Sequence, residues 1–309
     1  MATQQNTYKA SGKGGLREDL SNVIYDISPT DTPFLSSITK KGSVSNTLFE
    51  WQTDSLAAAG ANAKVEGAVA GAASMNDTTR VTNQTQISTK TVDVTGSGEA
   101  VDAAGKKSEM AYQLAKASKE LKRDMEKTLL DNNPAVAGSA TVARETRGAT
   151  HFITTNAVNA ASVTAGGGAH GGGTAAFTDG DITEAAELCW TEGGNPSTLL
   201  VGATAKQAIT GMSGRATQTQ SVVDDNKSIY NSVDVYVSDF GTFNVVLDRY
   251  LPSATALMLD NDMWSVDYLR DFQTVDIAKD GDSDKKMLLV EYGLRCGNEA
   301  ANAKITGIA

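Results

Sequence analysis

The chain has 309 residues, of which 40% are hydrophobic, 21% charged and only 6% aromatic, enough for one large core or two ordinary ones. Its formal net charge of −10 argues against a general nucleic-acid-coating role, because phosphate contacts demand dense Lys and Arg, while leaving room for a container whose inner wall merely tolerates DNA. Cys189 and Cys296 are far apart and neither belongs to a CxxC, so they read as free buried thiols of a reducing compartment; no stretch approaches the ~20 apolar residues of a membrane span.

Residues 1–42 read as an N-terminal arm. The opening MATQQNTYKASGKGG is polar and lacks the apolar core of a signal peptide. LREDLSNVIYDI has the pattern for two or three helical turns, SPTDTPF interrupts them, and Asp31 or Thr30 ahead of Thr32-Pro33 predicts a second short helix, PFLSSITK. Neither helix is stable alone at under ~12 residues. Yet the segment carries Val23, Ile24, Tyr25, Ile27, Phe34, Leu35 and Ile38. Burying such side chains contributes roughly 1.5–3 kcal/mol each, a sum of order 10 kcal/mol that the arm cannot collect alone. The expectation is that a neighbouring copy supplies the missing surface.

Residues 43–98 read as a long β-hairpin. Its outgoing arm NTLFEWQTDSL alternates Phe49, Trp51 and Thr53 against Leu48, Glu50 and Gln52, and its return TTRVTNQTQISTKTVDVTG is rich in β-branched residues. Between them AAAGANAKVEGAVAGAASMND has little to bury. A two-stranded projection this long must lie on something. Phe49, Trp51, Val81 and Ile87 are its candidate contacts with another subunit.

Residues 99–160 hold the strongest helix, from about Lys107 to Leu130, with Met110, Leu114, Ala117, Leu121, Met125 and Leu129 on one stripe. The other face places Lys116–Glu120 and Lys122–Glu126 at i,i+4, which predicts solvated ion pairs. At 1.5 Å per residue the helix spans roughly 35 Å, a spine for a domain, and Asn132-Asn133-Pro134 stops it. Residues 161–180 are a glycine-rich surface loop. Residues 181–265 alternate helix and strand: ITEAAELCWTEGG, STLLVG, ATAKQAITGM, then a hairpin with Val233, Val235 and Val237 answered by Phe243, Val245 and Leu247. Residues 266–309 are strand after strand, read as returning to the domain of the spine.

The signatures of chemistry fail one by one. SGKGG at 11–15 lacks the order of a phosphate loop, and GGGAHGGG at 166–173 follows no strand. Asp239-Phe240-Gly241 spells a kinase motif inside a hairpin turn, with no catalytic loop before it. Asp280, Asp282, Asp284 and Glu291 approach an EF-hand count but place Lys285 where glycine is required, so they read as a solvated turn. His151 and His170 are the only histidines, and no GxSxG nominates a serine to join them. No cofactor, metal or catalytic residue is predicted. The chain reads as structural, not enzymatic.

The order of parts resembles the tailed-phage major capsid protein family, whose HK97-like fold is α+β. Three stretches narrow the resemblance to the major head proteins of certain prolate-headed phages: GLREDLSNVIYDISPTDTPFLSSI (15–38), TVARETRGATHFITTN (141–156) and EYGLRCGNEAANAKITGI (291–308). The glycine tract departs from the pattern as a local insertion. The resemblance implies an N-terminal arm reaching a neighbour, an extended hairpin (the E-loop) lying across an adjacent subunit, a peripheral domain with the spine helix, and an axial α/β domain at the five-fold and six-fold centres. It implies self-assembly into pentamers and hexamers of an icosahedral or prolate virion head around double-stranded DNA, without sequence specificity and without a membrane. Assembly would occur in the host bacterial cytoplasm, with a portal and decoration proteins as further partners. No charged helical segment precedes the arm, so any scaffolding function is expected to be a separate protein or not to be needed. Rival readings are a tail-tube or decoration protein, against which the spine helix speaks, and an unrecognised hydrolase using acidic residues that lie mostly singly in turns.

Overall fold

The computed structural model describes residues 28–38, 40–69, 75, 77–101, 105–160, 174–212 and 234–309. In chain order the first half contains α1 (Pro33–Ser37), β1 (Lys40–Ser43), β2 (Leu48–Thr53), β3 (Thr79–Gln84), β4 (Gln86–Thr95), α2 (Gly96–Ala100), α3 (Glu109–Leu130), α4 (Ala149–Phe152) and β5 (Ala157–Asn159). The second contains α5 (Asp179–Thr191), β6 (Thr198–Val201), α6 (Ala203–Gly211), β7 (Val235–Ser238), β8 (Gly241–Leu247), β9 (Thr255–Leu259), β10 (Trp264–Ile277), β11 (Ser283–Cys296) and β12 (Ala303–Thr306).

The predicted hairpin is shorter than its β-branched pattern implied. β2 pairs antiparallel with β3 from Leu48–Gln84 to Thr53–Thr79. At Thr85 the ladder ends, and its N–H donates to Thr47 O at 2.8 Å. The chain then departs as β4, whose ten residues pair antiparallel with β11. One run of strand-forming sequence therefore serves two sheets, because the core-facing residues change at that point.

That second sheet is ordered β1-β10-β11-β4. β10 and β11 run fourteen residues each, with register shifts between Tyr268 and Gln273. The other large sheet is six-stranded, ordered β5-β12-β9-β6-β8-β7. In its middle β6 and β9 are buried along their whole length, as strands covered on both faces should be. Leu199 and Val201 face a core built with α5, α6, Phe243 and Ile305, whereas Leu200, Leu257 and Leu259 face a second core built on α3, α4, β10 and β11. One wall serves two cores. Two predicted boundaries shift accordingly. β12 joins the six-stranded sheet between β9 and β5 and does not return to the spine, and β5, placed with the spine by its position in sequence, lies at that same sheet's edge.

α3 begins where Ser108 Oγ accepts from Ala111 N at 3.2 Å and ends at Leu130, close to the predicted span. Ala117, Leu121, Met125 and Leu129 of the predicted stripe are buried, with Leu130 beside them. Glu126 is the exception to the pattern. It is fully buried and does not pair with Lys122; its Oε1 and Oε2 accept from Phe34 N at 2.6 Å and Leu35 N at 2.8 Å. Of the predicted helix PFLSSITK only PFLSS forms, as α1, with Lys40 already in β1; its N-cap Thr32 gives no side-chain cap, and a carboxyl from ninety-odd residues away takes that role. The β7–β8 hairpin forms at the predicted place but with the other face of β7 inward: Tyr236, not a valine, stands opposite Phe243 and is buried with it and Val245, while Val235, Val237 and Leu247 stay exposed and Val233 lies outside the described residues.

Direct backbone contact ties the end of the spine to the turn that leads into α4. Gly148 N donates to Asn133 O at 3.1 Å, and a Cβ at residue 148 would stand 1.9 Å from Asp131 O. Neither backbone has room to yield, so Gly148→Ala is expected to cost at least about 1–3 kcal/mol of stability. The measurement is the urea midpoint of the unassembled chain against wild type.

Candidate assembly surfaces

The root of the β2–β3 hairpin is bolted to its own chain. Phe49 is buried in space left by Gly293, where a Cβ would come within 2.4 Å of its ring. Trp51 donates its indole N–H to Cys296 O at 2.8 Å, stacks on Phe49 at 5.7 Å and leans on Phe152 at 6.1 Å. The Arg295 guanidinium lies over both hairpin rings, 5.9 and 5.7 Å from their centres. On β3, buried Asn83 donates to Thr146 Oγ1 at 3.1 Å and Leu294 O at 2.6 Å, and accepts from Arg147 N at 2.9 Å.

Just below, Glu291 accepts from Thr85 Oγ1 at 2.9 Å, Arg144 Nη2 at 2.6 Å and Arg270 Nε at 2.8 Å. Burial opposes its ionisation, but the Thr85 and Arg270 hydrogen bonds and the two guanidinium charges outweigh it and hold the carboxyl below the usual carboxylate range. Glu291 is therefore a structural anchor, remote in role from the acidic turn with which its spacing associates it. Asp280, Asp282 and Asp284 sit at that exposed turn, where Lys279 and Lys285 pair with Asp284 and Asp280.

Beyond the root the character reverses. Every residue from 54 to 69 is exposed, Leu56 by 99%, Val65 by 82% and Val69 by 93%. Met75, on the way back, is also exposed. A second exposed apolar group, Phe272, Val275 and Ile277, lies on the far half of β10, past the residues that β1 covers.

These placements revise the predicted contacts. Phe34, Ile38 and Phe49 are claimed by the core of their own chain, and Leu35, Trp51 and Val81 are partly buried against it. The reason is that α3, β10 and β11 already supply the apolar surface that the arm and hairpin root lack. Ile87 remains 44% exposed on β4. Val23, Ile24, Tyr25 and Ile27, with His170 and the glycine tract, lie outside the described residues. What sequence reasoning missed is the tip: Leu56, Val65, Val69 and Met75 are isolated large apolar residues in an Ala/Gly-rich stretch, and that contrast is the available signal.

No group of three or more His, Cys, Asp or Glu side chains converges among the described residues. Burial pushes the Cys189 and Cys296 thiols up to about 12, the reverse of an activated nucleophile. His151, its pKa lowered first by burial and then by the Arg147 charge, lines a cleft of about 290 Å³ with Arg147, Phe152 and Cys296 beside the hairpin root. The arrangement holds parts together and leaves surfaces unpaired.

Comparison with known proteins agrees. The sequence matches the family described as SU10 major capsid protein over residues 1–309. The chain belongs to that family. It is 28% identical to the major capsid protein of Escherichia phage Phieco32 over 94% of each chain. Its fold is similar to that of the capsid of a native GTA particle (TM-score 0.67, 12% identity, 99% and 100% of the two chains). Gordonia phage Cozz gives 0.62 at 14% identity over 97% and 93%, and the SrpI encapsulin of Synechococcus elongatus PCC 7942 gives 0.61 at 12% identity over 98% and 96%. The fold is HK97-like, and this major capsid protein is a shell subunit of the virion.

In this capsid protein Glu291→Ala leaves two guanidinium groups facing each other across the hairpin root. The expected loss is about 2–4 kcal/mol at neutral pH, under the figure for a fully enclosed pair because the Arg270 side chain is 43% exposed. A carboxyl whose pKa is lowered on folding stabilises above its unfolded pKa, so the gap between wild type and variant is expected to shrink as pH falls below about 4.5. Urea unfolding of the unassembled chain at a series of pH values checks both.

Proposed function

We propose that this subunit assembles through the exposed tip of its hairpin, residues 54–69 with Met75, which lies across an adjacent copy in pentamers and hexamers of the head shell. The observation that carries this reading is the contrast along one hairpin: a root locked by Phe49, Trp51 and Asn83, and a tip whose Leu56, Val65, Val69 and Met75 touch almost nothing. Burying four such side chains contributes roughly 6–12 kcal/mol before ordering costs. A monomer forgoes that contribution. The far half of β10, with Phe272, Val275 and Ile277, is a second surface for a neighbouring copy.

The shell so formed would enclose double-stranded DNA without reading its sequence, consistent with a net charge of −10. Portal, scaffolding and decoration proteins would be separate partners. The subunit has a purely mechanical role in this reading, which the raised thiol pKa values support. The tail-tube and decoration readings give way to the family assignment.

Replacing Leu56, Val65 and Val69 together by Ser tests the tip. The root is untouched, so the variant is expected to fold with an unchanged melting midpoint yet remain as small oligomers by size exclusion and negative-stain microscopy. Shells at wild-type yield would overturn the proposal.

A further inference from the structure

Glu126 and Asp248 are two carboxyls buried side by side, 0% and 3% exposed. Glu126 grips the first turn of α1 through Phe34 N and Leu35 N. Asp248 Oδ1 accepts from Tyr250 N at 2.7 Å, and the Tyr250 hydroxyl in turn donates to Pro29 O at 3.4 Å. Both acids therefore hold the same piece of arm, one directly and one through Tyr250. Asp248 Oδ2 is buried without a partner, and the Asp248 carboxyl stands within hydrogen-bonding reach of the Glu126 carboxyl. The charged groups on the elements packed here are Lys122, Arg123 and Lys127 on α3, Asp31 ahead of α1, and Asp248 with Arg249 after β8; of these only Asp248 acts appreciably on Glu126. Two adjacent buried acids with no cation between them cannot both be ionised at low cost.

We propose that Glu126 and Asp248 share a single proton, and that this proton latches the segment 28–38 onto the spine helix. With the proton present, one carboxyl donates to the other and Glu126 still accepts from α1. Without it, two carboxylates confront each other, and the arm is released so that both gain water. A cleft of about 490 Å³ lined by Asp31, Pro33, Asp248 and Arg249 gives that water its entry. The device goes beyond shell formation. It makes the seating of the arm depend on pH in a subunit whose other appendage is fixed.

The direction follows from the burial of Glu126 and the Asp248 carboxyl beside it, which together push Glu126 up to about 8 from 4.5. The latched state then holds one proton more than the released state between those values. Latching is strongest below about pH 4.5, weakens about tenfold per pH unit as pH rises, and levels off above about 8.

The test is peptide-resolved hydrogen exchange on the full-length chain between pH 5 and 9, with rates divided by the intrinsic exchange rate at each pH. For residues 28–38 the opening ratio is expected to rise about tenfold per unit from pH 5 to 8 and then plateau, while the β6 peptide stays level. Glu126→Gln, a neutral mimic, should remove the slope. Asp248→Asn, which offers an amide donor to a Glu126 carboxylate, should move the steep region to lower pH and serves if the first variant fails to fold. A level wild-type profile from pH 5 to 8, an unchanged slope in Glu126→Gln, or an unchanged profile in Asp248→Asn would overturn the proposal.

Discussion

Trp264 is the ring on which the appendages of this subunit converge. It is fully buried; Phe34 of the arm and Phe152 of α4 each meet it edge-on at 6.0 Å, and its N–H donates to Asn302 Oδ1 at 2.9 Å. Phe152 passes the contact to Trp51 and Trp51 to Phe49, so a relay of five rings joins the arm, the post-spine turn and the hairpin root. Only 6% of the chain is aromatic, so this concentration of rings marks where the molecule places its stiffest side chains. Each such pair adds about 0.5–1.5 kcal/mol beyond area burial and also restricts orientation. Because strands β10 and β11 carry Trp264 and the Arg295 cap, every appendage is aimed by the same core.

That aiming matters because the hairpin tip has nothing of its own to hold it. Association costs ordering entropy, and a finger already fixed at its root loses less on docking than one free at both ends. Phe49, Trp51 and Asn83 keep the root in one pose, while the Ala- and Gly-rich stretch from 57 to 69 leaves the tip able to conform to what it meets. If the tip docks on neighbours in both pentamers and hexamers, as proposed, an equally rigid tip would fit only one of the two geometries.

Periodicity makes much of this legible. The spine helix, the β7–β8 hairpin and the buried strand Thr198–Val201 are all where spacing and β-branching place them. Two features are not. The partition of β3 from β4 turns on which face is buried on each side of Thr85, and alternation alone does not say which sheet a face belongs to. Glu126 reads as solvated because Lys122 stands four residues before it; around the helix circumference, however, it falls between Leu129 and Leu130, both fully buried. Extending the apolar stripe to Leu130 encloses it. The arm residues Phe34 and Ile38 point to a neighbour in the sequence because a segment's need for apolar partners is visible there, but not whether they lie in its own chain or in the next.

The same core solves the problem of a buried glutamate in two opposite ways. Glu291 has two guanidinium groups and a hydroxyl around it, so its charge is fully compensated and the hairpin root it braces is permanent at any pH above the carboxylate range. Glu126 has two backbone N–H groups and another acid, so its charge is uncompensated and the neutral state is lower in free energy. Arg249 follows Asp248 in the chain but does not act on Glu126; a cation placed between the two carboxyls would have made the arm seat as durable as the hairpin root. Its absence from that pair separates the subunit into a part that cannot let go and a part that can, both packed against the same β10–β11 strands.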